Sequence, residues 1–192
     1  PFLEWLFEQS AGVSFGRGFS KGSGAEPLAL PFGAERRGDV AVIPTICFED
    51  TVPRVLRKYV SNGGQLILNI TNDGWFKESE AAAQHFANAK FRAIELRRPM
   101  VRCSNTGVSA VVGTDGTVID PVNGEARILL DEEGSHFTRG WLFATIYVPL
   151  DGPVTIYARY GDWFAVLGGT IGLSWWIVGC VRGRRPVAQA GP

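Results

Sequence analysis

The sequence predicts an α/β fold followed by one membrane-spanning helix. Short apolar runs separated by turn residues indicate strands, and patterns with helical periodicity lie between some of them. Nineteen consecutive uncharged, mostly apolar residues extend from Trp163 to Val181. Strands and helices in this order are typical of an α/β domain with layered sheets. With 192 residues, 45% of them hydrophobic, the chain can bury the core of one globular domain.

The elements follow in order along the chain. A Gly-rich stretch, residues 10–35, has little periodicity and is predicted to be a long loop. Asp50, Thr51 and Pro53 are start signals for a helix. Ser79 can cap a second helix that runs to about Arg97, before Pro99 ends the pattern. Strand candidates lie at residues 40–43, 66–70, 108–112 and 142–148.

Charge and cysteine content exclude several classes of function. Nineteen basic and nineteen acidic residues cancel, and no basic stripe with interleaved aromatic residues is present, so a nucleic-acid partner is not expected. Cys47, Cys103 and Cys180 are odd in number, far apart and without metal-ligand spacing. We expect no disulfide framework, no zinc or other metal site and no cofactor.

The apolar run at residues 163–181 is long enough to cross a bilayer core of ~30 Å. Trp163, Trp175 and Trp176 near its ends suit interfacial anchoring, and the alternative is a buried helix of a soluble core. The basic residues that follow, Arg182, Arg184 and Arg185, place residues 182–192 in the cytoplasm by the positive-inside rule. The preceding domain would then lie on the opposite side of the membrane, which in a bacterium is the periplasmic face.

Cys47 lies between the apolar run 40–43 and the helix predicted from Pro53. A thiol at a helix N-terminus is favoured as thiolate, which is the reactive form. An isolated Cys at a strand end is also a common small buried hydrophobe. The segment alone leaves both interpretations open.

A second polar segment, residues 69–76, follows the strand candidate at 66–70 in the same way. Ligands of open α/β sheets usually bind at the edge where such strands end. The alternative is an ordinary turn built by Asn72, Asp73 and Gly74.

The ordered set of motifs resembles the nitrilase superfamily and, within it, the apolipoprotein N-acyltransferase family. The motifs, in order, are Pro1-Phe2-x-Glu4, Phe15-Gly16-Arg17-Gly18, Ile46-Cys47-Phe48-Glu49, Asn69-x-x-Asn72-Asp73-Gly74-Trp75-Phe76, Gln84-His85-Phe86, Arg92-Ala93-Ile94-Glu95-x-x-Arg98-Pro99, Arg102-x-x-Asn105-Thr106-Gly107 and Tyr157-Ala158-Arg159-Tyr160-Gly161-Asp162-Trp163. Soluble nitrilases look similar around the Cys but lack the last motif and its membrane helix.

The resemblance implies part of an α-β-β-α sandwich over residues 1–158, then the transmembrane helix 163–181 and a cytoplasmic tail. It implies a Cys-Glu-Lys triad in which Cys47 takes a fatty acyl group from a phospholipid as a thioester. The acyl group then passes to the N-terminal amine of a diacylglyceryl-cysteine apolipoprotein. The backbone N–H of Phe48 would stabilise the oxyanion together with the triad Lys, and Glu4 would support that Lys.

The same resemblance places the triad Glu and Lys before this region, so the chain is expected to be a C-terminal fragment that is inactive alone. Its first residue is Pro1, and no signal peptide is present, which agrees with that expectation. Phe48 stands where many members have Tyr, so a hydroxyl beside the nucleophile is absent.

Several polar residues allow two interpretations. Glu49 orients the turn at Cys47, or it is a solvated acid in the first turn of a helix. Asn72, Asp73 and Trp75 shape an acyl pocket or only build the turn, and Arg102 and Asn105 are further candidates for lining the site. His85 is expected to be a packed structural residue, and Arg92 and Glu95 an intrahelical ion pair. Arg159 and Asp162 anchor the membrane boundary or contact lipid headgroups.

Two other functions remain open at this point. One is a membrane-anchored carbon–nitrogen hydrolase, in which water resolves the thioester, and the other is a non-catalytic, membrane-anchored binding module of nitrilase type. Upstream sequence would distinguish them: several hydrophobic spans indicate the acyltransferase, no spans indicate the hydrolase, and a missing Glu or Lys indicates the binding module.

Overall fold

The computed structural model describes residues 24–31 and 38–183, which form a five-stranded mixed sheet, the helices packed on it and a long C-terminal helix. The order in the sheet is β1-β2-β3-β4-β5, with β2, β3 and β4 parallel and the edge strands antiparallel. The strands are β1 Leu28–Pro31, β2 Asp39–Ile46, β3 Leu66–Asn72, β4 Met100–Asn105 and β5 Ala110–Val112. The predicted α/β class is confirmed.

Four α-helices and two short 3₁₀ helices connect or follow these strands. The 3₁₀ helices are Cys47–Thr51 and Gly74–Phe76. The α-helices are α1 Pro53–Ser61, α2 Glu80–Leu96, α3 Ile156–Tyr160 and α4 Trp163–Gly183. Both predicted helices of the α/β part are present, and α2 begins after Ser79 as its sequence indicates.

The main core lies between α1, α2 and one face of the sheet. α2 buries Ala89, Ala93 and Leu96 against Ile43 of β2 and Ile67 of β3. These α2 positions recur at helical spacing, so one stripe of the helix is removed from water. α2 stops where Arg97 adopts a left-handed conformation, with φ 53°.

A smaller cluster covers part of the opposite sheet face. Val40 and Val42 of β2 and Leu66 of β3 pack there with Ile146 and Val148. The strand predicted at 142–148 is wrong, because this segment crosses the sheet face without joining a ladder. The described residues thus give one sheet with helices on one face, and the second sheet of the expected four-layer sandwich is not among them.

Two strands of the sheet, β1 and β4, are not predicted by the sequence patterns. β1 lies inside the stretch predicted to be a loop, and its side chains are exposed. β4 alternates buried Met100 and Arg102 on the helix-facing side, so its polar residue breaks the apolar pattern of a core strand. The strand predicted at 108–112 is shorter than expected and is β5, residues Ala110–Val112.

The C-terminal helix leaves the domain through a well-tied connection. Arg98 donates to the carbonyls of Gly152 (3.0 Å) and Pro153 (3.2 Å), and Arg57 of α1 donates to the carbonyl of Ala158 at 3.1 Å. Residues 163–181 of α4 are all exposed, and they form the only helix of the described residues that is long and apolar enough to cross a membrane. Within the described residues, this segment is therefore not a buried core helix.

Candidate functional site

Cys47 lies at a sharp elbow where β2 ends. Its φ is +51°, a left-handed conformation that is uncommon for a residue other than glycine, and it begins the 3₁₀ helix Cys47–Thr51. The side chain is half-buried. Along the chain, the 3₁₀ helix and Val52 lie between Cys47 and α1, which begins at Pro53, and the prediction that the thiol faces a helix N-terminus stays a prediction.

Two side chains hold the elbow from either side. The carboxylate of Glu49 accepts a hydrogen bond from the N–H of Ile46 at 2.8 Å, so Glu49 folds back over the residue before the nucleophile candidate. The amide of Asn69, fully buried on β3, donates to the carbonyl oxygen of Cys47 at 3.2 Å and to the hydroxyl of Thr45 at 3.1 Å. The position of Cys47 is therefore tied to the neighbouring strand.

A buried cluster of charged side chains lies beneath this elbow. It consists of Asp50, Asp73, His85 and Arg102, each at most 4% exposed. Arg102 contacts Asp50 through Nη1 and donates to Asp73 Oδ2 through Nη2 at 3.1 Å. His85 places Nε2 3.0 Å from Asp50 Oδ1 and Nδ1 2.8 Å from Asp73 Oδ1. Arg102 also donates to Asn69 Oδ1 at 2.9 Å, which joins the cluster to the elbow.

The two carboxylates of this cluster have opposite pKa shifts. Burial raises the pKa of Asp50, and the charges of Arg102 and His85 oppose that rise without cancelling it. Burial also acts to raise the pKa of Asp73, but the hydrogen bond with His85 and the charge of Arg102 outweigh it, so the pKa of Asp73 falls below its ordinary value.

The loop after β3 carries the second group of predicted site residues. Asn72 Oδ1 accepts from the N–H of Gly74 at 3.1 Å and from the amide of Asn105 at 3.3 Å, which joins the ends of β3 and β4. Trp75 is 82% exposed, and Phe48, on the elbow, is 64% exposed. Both rings lie in loops that follow the neighbouring strands β2 and β3.

The structure brings most predicted site residues to the carboxyl edge of β2, β3 and β4, at two depths. Asp73 and Arg102, predicted to line the site, lie in the buried cluster, where the Asp73 carboxylate and the Nη atoms of Arg102 bond each other and neighbouring side chains. The surface holds Cys47, Phe48, Glu49, Asn72, Trp75 and Asn105. Glu4 lies outside the described residues.

The sequence pointed less clearly to three residues that build this site. Asn69 was visible only as part of a motif, Asp50 only as a helix start signal, and His85 as a packed residue. The predicted ion pair between Arg92 and Glu95 is confirmed, with Nη2 2.9 Å from Oε2. Among residues 24–31 and 38–183, no group of three His, Cys, Asp or Glu side chains is arranged to hold a metal ion.

Comparison with known proteins identifies relatives of this chain. The carbon–nitrogen hydrolase family model matches residues 6–131. An apolipoprotein N-acyltransferase of Thermotoga maritima is 33% identical over 140 residues, which cover 73% of this chain and 25% of the relative. An apolipoprotein N-acyltransferase of Geobacter metallireducens is 35% identical over 150 residues, covering 74% and 24% respectively.

The chain thus spans about a quarter of the length of these curated relatives. A crystal structure of a carbon–nitrogen hydrolase from Helicobacter pylori aligns with a TM-score of 0.43 at 15% identity, covering 57% of this chain and 43% of that one.

Proposed function

Because this chain belongs to the carbon–nitrogen hydrolase family, we propose that it is the nucleophile-bearing C-terminal part of an apolipoprotein N-acyltransferase. The observation that carries the proposal is the half-buried thiol of Cys47 at a strained elbow, on the same sheet edge as the exposed rings of Phe48 and Trp75. A thiol supplies the covalent chemistry, and exposed rings suit an acyl chain. The relatives of 33% and 35% identity support the choice of reaction.

The first half-reaction transfers a fatty acyl group to Cys47. The thiolate attacks the ester carbonyl of a phospholipid, a carbon–sulfur bond forms, and the ester carbon–oxygen bond breaks to release a lysophospholipid, which takes up a proton. The tetrahedral intermediate carries an oxyanion, and the N–H of Phe48 is the donor that this chain would provide. Glu49, which fixes Ile46 before the nucleophile, keeps that N–H in place.

The second half-reaction moves the acyl group to an amine. The N-terminal amine of a diacylglyceryl-cysteine apolipoprotein attacks the thioester carbonyl, an amide bond forms, and the carbon–sulfur bond breaks to return the thiolate. The amine loses a proton to a general base. We assign that base to the Glu of a Cys-Glu-Lys triad, and we place this Glu and the Lys in parts of the full-length enzyme other than these 192 residues. The chain expressed alone is then inactive, and Glu4 supports the Lys.

The substrate contacts divide by depth. Trp75, Asn72 and Asn105 are exposed at the carboxyl edge and are assigned to the phospholipid acyl donor. Asp73 and Arg102 act on the substrate only through the loops that they hold, because their side chains are buried.

The membrane arrangement follows from α4. Residues 163–181 would span the bacterial inner membrane, with the catalytic domain periplasmic and the C-terminus cytoplasmic. The exposed apolar surface of this helix supports the span, and the basic residues from Arg182 onward support the orientation. A periplasmic domain joined directly to the span would meet phospholipid at the bilayer surface.

An assay of the full-length protein in detergent separates this reaction from the alternatives. With phosphatidylethanolamine and a diacylglyceryl-cysteine peptide, the acyltransferase yields the N-acylated peptide and a lysophospholipid. Release of fatty acid or ammonia with no acylated peptide would identify a hydrolase instead. A full-length protein that forms neither product would be the non-catalytic binding module.

A further inference from the structure

His85 contacts both loops that form the candidate site. The residue lies on α2 and is 4% exposed. Its Nε2 is 3.0 Å from Asp50, in the elbow loop Cys47–Thr51, and its Nδ1 is 2.8 Å from Asp73, at the start of the Trp75 loop, residues 73–76. Each ring nitrogen therefore serves a different loop.

The ring of His85 repeats this double contact with its carbon atoms. The ring of Phe48, from the elbow loop, lies 5.7 Å away between centroids at a tilt of 33°. The ring of Phe76, from the Trp75 loop, lies 5.9 Å away and meets it edge-on at 81°. The same side chain is thus both a hydrogen-bonding and a packing link between the two loops.

A packing role alone does not account for these contacts. Other buried positions on α2, such as Ala89 and Ala93, face apolar neighbours and need no hydrogen-bond partner. An apolar ring at position 85 would fill the same space, but Asp50 and Asp73 would each lose one hydrogen bond deep in the protein.

We propose that His85 is a positioning residue that fixes the elbow loop relative to the Trp75 loop. Resting on the proposed function, this places the reacting ester carbonyl at Cys47 while the acyl chain lies against Trp75. The two loops follow neighbouring parallel strands, and no covalent segment shorter than residues 52–72 joins them. A side chain that reaches both is therefore a direct means of setting their separation.

A kinetic double-mutant cycle in the full-length enzyme tests the link. His85→Asn keeps a short polar side chain that reaches toward Asp73 but not Asp50, and His85→Phe keeps ring volume without either hydrogen bond. Single-turnover acylation should fall by about 100-fold in each variant, the size expected for a misplacement of about 1 Å. Trp75→Ala should slow acylation in the wild type but have little further effect beside either His85 variant.

Additive effects of the Trp75 and His85 changes would overturn the proposal, because a residue that only stabilises the fold leaves the contribution of Trp75 unchanged. Asn88→Ala is the matched control on α2, since Asn88 is exposed and its amide donates to the Gln84 carbonyl of the same helix. That variant should acylate at the wild-type rate.

Hydrogen exchange provides a readout that does not depend on the reaction. In His85→Phe, which removes both hydrogen bonds, peptides covering 47–51 and 73–76 should both lose protection, whereas α2 itself should not. Loss in only one loop, or in neither, would overturn the link even if the enzyme were inactive toward phospholipid. A linked pair of loops in a protein without acyltransferase activity would refute the proposed function and leave the positioning role of His85 standing.

Discussion

Replacing Arg102 with Met should be among the most damaging single changes outside the nucleophile itself. Within residues 24–31 and 38–183, the guanidinium of Arg102 is the only arginine contact of Asp50 and of Asp73, and it also donates to Asn69. Met fills most of the volume but removes the charge, so two buried carboxylates lose their main compensation. Removing one partner of a buried ion pair costs about 3–5 kcal/mol. For a domain of this size that corresponds to a fall in melting temperature of roughly 6–20 °C.

The assay is thermal unfolding of the full-length protein in one detergent, with matched variants. Arg54→Met, an exposed arginine on α1, should shift the melting temperature by less than about 2 °C. Adding Asp50→Asn to Arg102→Met should recover part of the loss, because one uncompensated charge disappears with the same side-chain volume. A loss in Arg102→Met no larger than in Arg54→Met, or a double variant no more stable than Arg102→Met alone, would refute the argument that buried charge is the cause.

Further changes probe the buried carboxylates and the apolar helix separately. Gly107→Ala should cost about 1–3 kcal/mol, because a Cβ there would lie 2.5 Å from Asp73 Oδ2, whereas Gly168→Ala has no atom within 4 Å and should cost little. In the wild type, stability should fall as pH rises above 3.8, because burial raises the pKa of Asp50 and the folded state keeps a proton that the unfolded state has released. Asp50→Asn should remove this fall. Asp73→Asn should instead remove a loss as pH falls below 3.8, because the pKa of Asp73 is lowered in the folded state. Alkaline phosphatase fused after Pro192 should be inactive, and a cytoplasmic fluorescent reporter at the same point should be bright.

Each of these outcomes has a contrary result. Equal melting temperatures for Gly107→Ala and Gly168→Ala would mean that the chain around Gly107 shifts away from Asp73 without a loss of stability. The same pH dependence in both Asn variants would contradict the opposite pKa shifts of the two carboxyl groups. An active phosphatase fusion would mean that the C-terminus lies in the periplasm, opposite to the predicted orientation. Release of the protein by carbonate washing would rule out the membrane span.

The order of elements around Cys47 was predictable because its signals are local. A β-branched run, a turn and start signals before Pro53 lie within fourteen residues, from Val40 to Pro53, and they define β2, the elbow and α1. The spacing of apolar residues on α2 is equally local. Such patterns need no knowledge of which elements meet in space.

The buried cluster was not predictable in the same way. Asp50 is 35 residues from His85 and 52 from Arg102 along the chain, so only the parallel pairing of β2, β3 and β4 brings them together. Their burial also reverses the usual expectation that charged side chains face solvent. The sequence therefore suggested a surface role for Asp73 and Arg102, whereas the structure gives both a buried one.

The strand prediction for residues 142–148 was wrong for a related reason. Its run of apolar residues satisfies the composition of a strand, and Ile146 and Val148 do pack on the sheet. A segment that packs across a sheet face and a strand that pairs at a sheet edge both bury apolar side chains, so the same composition suits either. Only backbone pairing with a neighbouring strand distinguishes them. β1 shows the opposite case, because it pairs with β2 although its side chains are exposed.

The most direct test of the central claim is the site of acylation in the full-length enzyme. After incubation with phospholipid, mass spectrometry should find a hydroxylamine-labile acyl adduct on the peptide that contains Cys47, and Cys47→Ser should abolish it. Cys103 is the relevant competitor, because it is exposed on β4 and pairs with Ile70 on the same sheet. An adduct on Cys103, or acylation that persists in Cys47→Ser, would contradict the assignment of Cys47 as the nucleophile.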